Sequence, residues 1–176
     1  MRRFLPIIGV VLGVGVCGCG EKSPSGNNGS AGTDLDASDP DALIGAVVCP
    51  PPNYPVDTYA PGMIRMGENG VVKFQLVASD LAPPQLGTNT WTLKIAKADG
   101  PMLGGAVTAH ASMPAHAHPA SLQPVMTFDS ASGIYTATPV YLFMVGYWRV
   151  EFTAYDGPAG NGAVPLDVVD FNFCVD

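Results

Sequence analysis

Four stretches of this chain alternate apolar and polar residues with a period of two, and that pattern limits the possible folds more than any other feature. Val71 to Ser79 sets Val72, Phe74, Leu76 and Ala78 against Lys73, Gln75 and Ser79, and Thr90 to Lys97 sets Trp91, Leu93 and Ile95 against Thr90, Thr92 and Lys94. Gly146 to Tyr155 sets Trp148, Val150, Phe152 and Ala154 against Tyr147, Arg149, Glu151, Thr153 and Tyr155, and Val168 to Val175 keeps Val169, Phe171, Phe173 and Val175 on one side. Neighbouring side chains of a strand point to opposite faces, so each run reads as a strand with one buried and one wet side.

Turn formers separate these runs: Gly67 to Gly70, Pro83-Pro84 with Gly87, Asp99-Gly100-Pro101, Ser132-Gly133, and Gly157 to Pro165. Further strands are expected near Tyr59 to Arg65, at Ala106 to Ser112 and at Ile134 to Pro139. No segment carries a helix-length period. The expected fold is therefore all-β, an immunoglobulin-like antiparallel β-sandwich of about seven strands over residues 47–176.

What precedes this domain reads as an export and anchoring device. Met1-Arg2-Arg3 and the apolar run Phe4 to Val16 form the charged and hydrophobic regions of a secretory signal, which is too short for a bilayer helix of roughly 20 residues. Gly13, Gly15 and Gly18 spell a dinucleotide fingerprint, but no strand and helix flank it and the segment is removed on export. Gly18-Cys19 resembles a lipobox, so residues 1–18 are expected to be a lipoprotein signal peptide and Cys19 the lipidated first residue. Acyl chains on Cys19 would tie the protein to the cell envelope, and Gly20 in place of aspartate points to the outer membrane facing the periplasm. Residues 19–46, rich in Gly, Ser, Asn, Asp and Pro, cannot bury enough apolar surface to order themselves and are expected to be a flexible acidic tether.

Removing Arg2 and Arg3 with the signal leaves 6 Lys+Arg against 15 Asp+Glu, a formal charge of 6 − 15 = −9. Such a surface repels phosphate backbones, which argues against nucleic acid as a partner. Cys49 and Cys174 stand at opposite ends of the domain, and an exported chain lives where thiols oxidise, so they read as one disulfide; the rival reading makes them copper ligands.

The chemistry gathers in His110 to Pro119, His-Ala-Ser-Met-Pro-Ala-His-Ala-His-Pro, which holds all three histidines of the chain. Pro114 and Pro119 exclude a regular helix and push Met113 and His118 toward extended geometry. Imidazole nitrogens and a thioether suit copper, with sulfur favouring Cu(I) and the imidazoles accepting either oxidation state or zinc. In a straight strand His116 and His118 would point the same way about 6.6 Å apart, so one ion collects both only if the chain curves. His110, outward in its strand beside Thr108 and Ser112, is the weaker candidate, whereas Met113, His116 and His118 are expected past the strand end. In the structural reading of the same residues, the histidines cap a loop by bonding carbonyls, and Met126 and Met144 fill the core. No catalytic motif is present: neither H-E-x-x-H, nor G-x-S-x-G, nor a P-loop occurs, and no enzyme activity is expected.

Four motifs in order carry a family resemblance. Ala82-Pro83-Pro84 with Gly87 and Asn89 precedes a Trp-containing strand; Met113-Pro114-x-His116-x-His118, Gly133-Ile134-Tyr135 and Phe143-Met144-x-Gly146-x-Trp148 follow. Together they resemble the YtkA-like/FixH-like family over about Gly62 to Val175. The resemblance implies an extracytoplasmic immunoglobulin-like sandwich that occurs beside copper-handling proteins of the envelope, with Met113, His116, His118 and Met144 as the metal set. The chain departs from the family at Val145, where many relatives carry proline, and at Ala117 and Pro119, where glycines often follow the histidines. The function expected is a membrane-tethered copper-binding or copper-handling module; the alternative is an envelope interaction module without metal.

Overall fold

A computed structural model describes residue 49 and residues 53–101, 103–160 and 162–176. The signal segment 1–18, Cys19 and the tether 19–46 lie outside the described residues. Among the described residues no helix is long and apolar enough to cross a membrane.

Among the described residues nine strands form two antiparallel sheets: β1 (Met63–Met66), β2 (Val72–Ser79), β3 (Gly87–Lys97), β4 (Val107–Met113), β5 (His118–Pro119), β6 (Val125–Asp129), β7 (Ile134–Leu142), β8 (Gly146–Ala154) and β9 (Asp167–Val175). One sheet runs β1-β2-β3-β7-β6 and the other β5-β4-β8-β9. Read in chain order, β2-β3-β7-β6 takes the place of A-B-E-D in an immunoglobulin domain and β5-β4-β8-β9 that of C′-C-F-G, with β1 added at an edge. The expected sandwich is thus present with two more strands than the seven expected, four from alternating runs and three added to them. The additions are edge pieces. β5 has two residues, and β6 is mostly exposed, so neither shows the contrast between wet and dry faces that marks an inner strand.

The inner faces are those the alternation assigns. Phe74, Leu76, Trp91, Leu93, Ile95, Trp148, Val150, Phe152 and Phe171 are all essentially solvent-free. Trp91 of one sheet meets Phe173 of the other edge-on at 5.5 Å, which locks the layers together. Two departures have physical causes. A register shift between Leu76 and Ala78 turns Ser79 inward, where alternation assigns Ala78. Tyr147 lies on the outer face of β8 and yet is fully buried, because the chain ahead of β1 crosses that face: Tyr54 packs on its ring at 4.9 Å and its hydroxyl donates to Asn172 Oδ1 at 2.7 Å.

The same entering segment covers the free edge of β9. Asp57 N–H donates to Asn172 C=O at 2.7 Å, Asn172 N–H donates back to Asp57 Oδ2 at 2.8 Å, and Arg65 pairs with the other carboxylate oxygen. Glu68 N–H reaches Val168 C=O at 2.8 Å further along. An open strand edge invites pairing with another chain, and these contacts block it. Cys49 is disulfide-bonded to Cys174, with Cα atoms 5.7 Å apart, so the pairing read from the two cysteines is the one present and neither holds a thiolate for metal. Tyr59 completes the entry, with its hydroxyl accepting Ser79 N–H at 2.9 Å and its ring against Phe173.

Candidate metal site at one end of the sandwich

β4 pairs with β8 so that Ser112 faces Arg149, which brings the end of β4 and the start of β8 to one end of the sandwich. The connection Phe143 to Val145, which carries the chain from β7 in the first sheet to β8 in the second, lies at that end too. Two motifs some thirty residues apart in sequence therefore meet by topology.

The β4–β5 connection supplies the curvature that a shared ion requires. Pro114 opens a single 3-10 turn, Pro114–His116, at a position where its missing N–H costs nothing. Ala117 closes the turn with φ 55°, its N–H donating to Pro114 C=O at 3.1 Å. The chain then reverses and His118 pairs with Met113. Met113 and His118 are extended, as the prolines that follow them require, and the curve between them is one turn of tight helix.

His116 and His118 come together as the reading requires, their ring centroids 5.8 Å apart and their planes tilted by 54°. His118 Nδ1 lies 3.0 Å from Pro119 C=O. A carbonyl only accepts, so that bond assigns the proton to Nδ1 and leaves the Nε2 lone pair free, the arrangement typical of metal-bound imidazoles. The loop-capping reading is therefore half satisfied, since it occupies one nitrogen of His118 and none of the other. His116 Nε2 is enclosed and has no hydrogen-bond partner. A buried nitrogen left unpaired costs about 1 to 3 kcal/mol, and a bound ion would remove that cost.

His118 is held from the side by a ring stack. Phe143 lies against it at 5.8 Å and 27°, and Tyr141 lies against Phe143 at 5.8 Å and 28°. Phe143 in turn meets Trp148 edge-on at 5.4 Å, and Trp148 Nε1–H donates to Met144 C=O at 2.8 Å.

Met113 and Met144, the two methionines of the expected metal set, differ in placement. Met113 is the last residue of β4 rather than a residue beyond it, and its side chain is fully buried in the core cluster. Alternation carried one step further than Ser112 gives this result, since Val107, Ala111 and Met113 share the inward face. Its methyl lies 3.1 Å from where a Cβ on Gly146 would stand, and Gly146 has φ 126°. Met144 is 38 % exposed and Val145 55 %, so Met144 is not core filler. His110 is exposed on the outer face opposite Glu151, as its parity indicates.

Sequence reasoning missed Phe143 and Gly146 as parts of the site. Phe143 follows the Val140-Leu142 alternation of β7 and looks like a strand residue, and only the crossing to β8 sets it beside His118. Among the described residues no group of three or more His, Cys, Asp or Glu is placed to hold an ion together. Fold and site together define an immunoglobulin-like β-sandwich with a two-histidine rim. The chain matches no family model, no curated protein and no solved structure.

Proposed function

We propose that this is a membrane-tethered extracytoplasmic lipoprotein, acylated at Cys19, whose sandwich binds and handles copper at the His116–His118 rim, and that it belongs with the YtkA-like/FixH-like domains. The observation that carries the reading is the paired state of the two imidazoles, one with its Nδ1 proton engaged and Nε2 free, the other with an enclosed and unpartnered Nε2. Enclosed atoms without a partner occur elsewhere, at Ser79 Oγ and Trp91 Nε1, so the support comes from the second imidazole standing 5.8 Å away with its own Nε2 free. The ordered motifs from Ala82 to Trp148 support the family affiliation, and the gathering of two of them at one end of the fold supports a shared role. Its partner in this reading is another copper-handling protein of the envelope.

A second reading rests on a separate feature. Met144 and Val145 form an exposed apolar tip beside the rim, with Leu86 at 41 % exposure adjoining it through the Gly87–Leu142 pairing. That tip suits a docking surface for an envelope protein without any metal. Calorimetric titration of the native chain with copper separates the readings. Stoichiometric uptake that disappears in a His116→Ala/His118→Ala variant supports the copper function; no uptake by the native chain leaves the docking module.

A further inference from the structure

Two imidazoles are too few for most metals. Zinc takes four ligands in a tetrahedron, and Cu(II) prefers a tetragonal set of nitrogen and oxygen donors. Nothing among the described residues supplies a third or fourth His, Cys, Asp or Glu for such a shell. The two rings stand 5.8 Å apart, centroid to centroid, within the span of about 5 to 6 Å over which one ion can bridge two imidazoles.

His116 Nε2 is enclosed, and His118 is stacked on Phe143 with Trp148 behind it, so the pair is backed by apolar rings on one side.

We infer that the rim takes Cu(I) in particular, held by one nitrogen from each of His116 and His118, with Met113 packed in the core and not a ligand. This rests on the copper reading above and adds to it the oxidation state and the ligand count. Cu(I) is the ion that tolerates two donors. Met113, fully buried with its methyl lodged against Gly146, is engaged in packing.

The test uses the full chain under anaerobic conditions, titrated with Cu(I) against a bathocuproine competitor and, separately, with Cu(II) and Zn(II), followed by X-ray absorption of the copper-loaded protein. Expected are one Cu(I) per chain, a first shell of two nitrogens at about 2.0 Å, and no sulfur near about 2.3 Å. Cu(II) and Zn(II) should bind at least about a hundredfold more weakly, His116→Ala and His118→Ala should each weaken Cu(I) by at least about a hundredfold, and Met113→Leu by less than about threefold. Equal or tighter binding of Cu(II) or Zn(II) at these histidines overturns the Cu(I) assignment and leaves a metal function standing. A sulfur shell that Met113→Leu abolishes overturns the two-nitrogen site. If the folded native chain retains no metal at all, this inference and the copper reading fall together. The absorption measurement needs no variant, so a misfolded substitution does not blunt it.

Discussion

Replacing Asp167 by alanine removes the group that ties the first turn of the domain to its last strand. Its carboxylate is fully buried and accepts backbone N–H bonds from Asn69, Val71 and Val72 at 2.8 Å each, and from Val168 at 3.0 Å. It occupies the space that a side chain on Gly67 would need. Without it three turn amides lose their acceptor. Asn69 is exposed and Val71 is 40 % exposed, so water recovers part of their loss, while the Val72 amide is sealed in. At about 1 to 3 kcal/mol for each unsatisfied buried group, the expected loss is about 3 kcal/mol. That is a large share of a typical total of roughly 5 to 15 kcal/mol. Urea unfolding followed by tryptophan fluorescence at neutral pH measures it, and a change below about 1 kcal/mol would refute the role given to this carboxylate. The acid limb gives an independent check. Burial raises the pKa of Asp167, but the backbone N–H bonds lower it and prevail, so the folded-state value lies below the ordinary carboxylate range. The stabilisation is therefore complete above the unfolded value of about 3.9 and is lost as pH falls through the lower folded value. Asp167→Asn has no carboxyl to titrate there and should lose stability less steeply below about pH 4. Identical acid profiles for the two proteins would contradict the assignment.

Two further outcomes follow from the same packing. Gly146→Ala places a methyl against that of Met113 at a backbone angle L-residues rarely adopt, and should cost about 1 to 3 kcal/mol, with Phe143 and His118 ring signals shifting in NMR spectra. Unchanged ring signals would separate Gly146 from the rim. Converting both Cys49 and Cys174 to serine opens a link spanning 125 residues and should cost roughly 4 to 5 kcal/mol on the loop-entropy account, read as a drop in urea midpoint. A double variant as stable as the native chain would show that the entering segment holds its place through Tyr54 and Asp57 alone.

The sandwich was legible because its inner strands each bury one face, which writes itself into sequence as alternation: Trp91, Leu93, Ile95 and Trp148, Val150, Phe152 fall inward as their parity dictates. The edges were less legible. β6 exposes most of its residues, so little selects against polar or apolar side chains at any one position. Tyr147 and Ser79 mark the other kind of failure. A segment entering from elsewhere buries the first, and a local register shift turns the second, and neither is a property of the strand's own pattern. At the site, the turn that gathers the histidines follows from Pro114 and the positive φ at Ala117, whereas Met113 faces inward with Val107 and Ala111 although its motif sets it beside the histidines.

The rim owes its geometry to the place where the chain changes sheets. β7 ends in one layer and β8 begins in the other, and the crossing residues must be fixed in position before Phe143 can stand against His118. Trp148 fixes them twice, by donating its indole N–H to Met144 C=O and by setting its ring edge-on to Phe143. The indole is nearly solvent-free, so this donor has no competing water, and the carbonyl it satisfies sits on a crossing with no ladder partner of its own. His118 is consequently oriented from two directions, by Pro119 C=O on its own strand and by a ring that the opposite sheet presents. A histidine held only by its turn would sample several rotamers and lose side-chain entropy on meeting an ion. Held from both layers, it loses little, and the affinity of the pair then depends on core residues that never touch the ion.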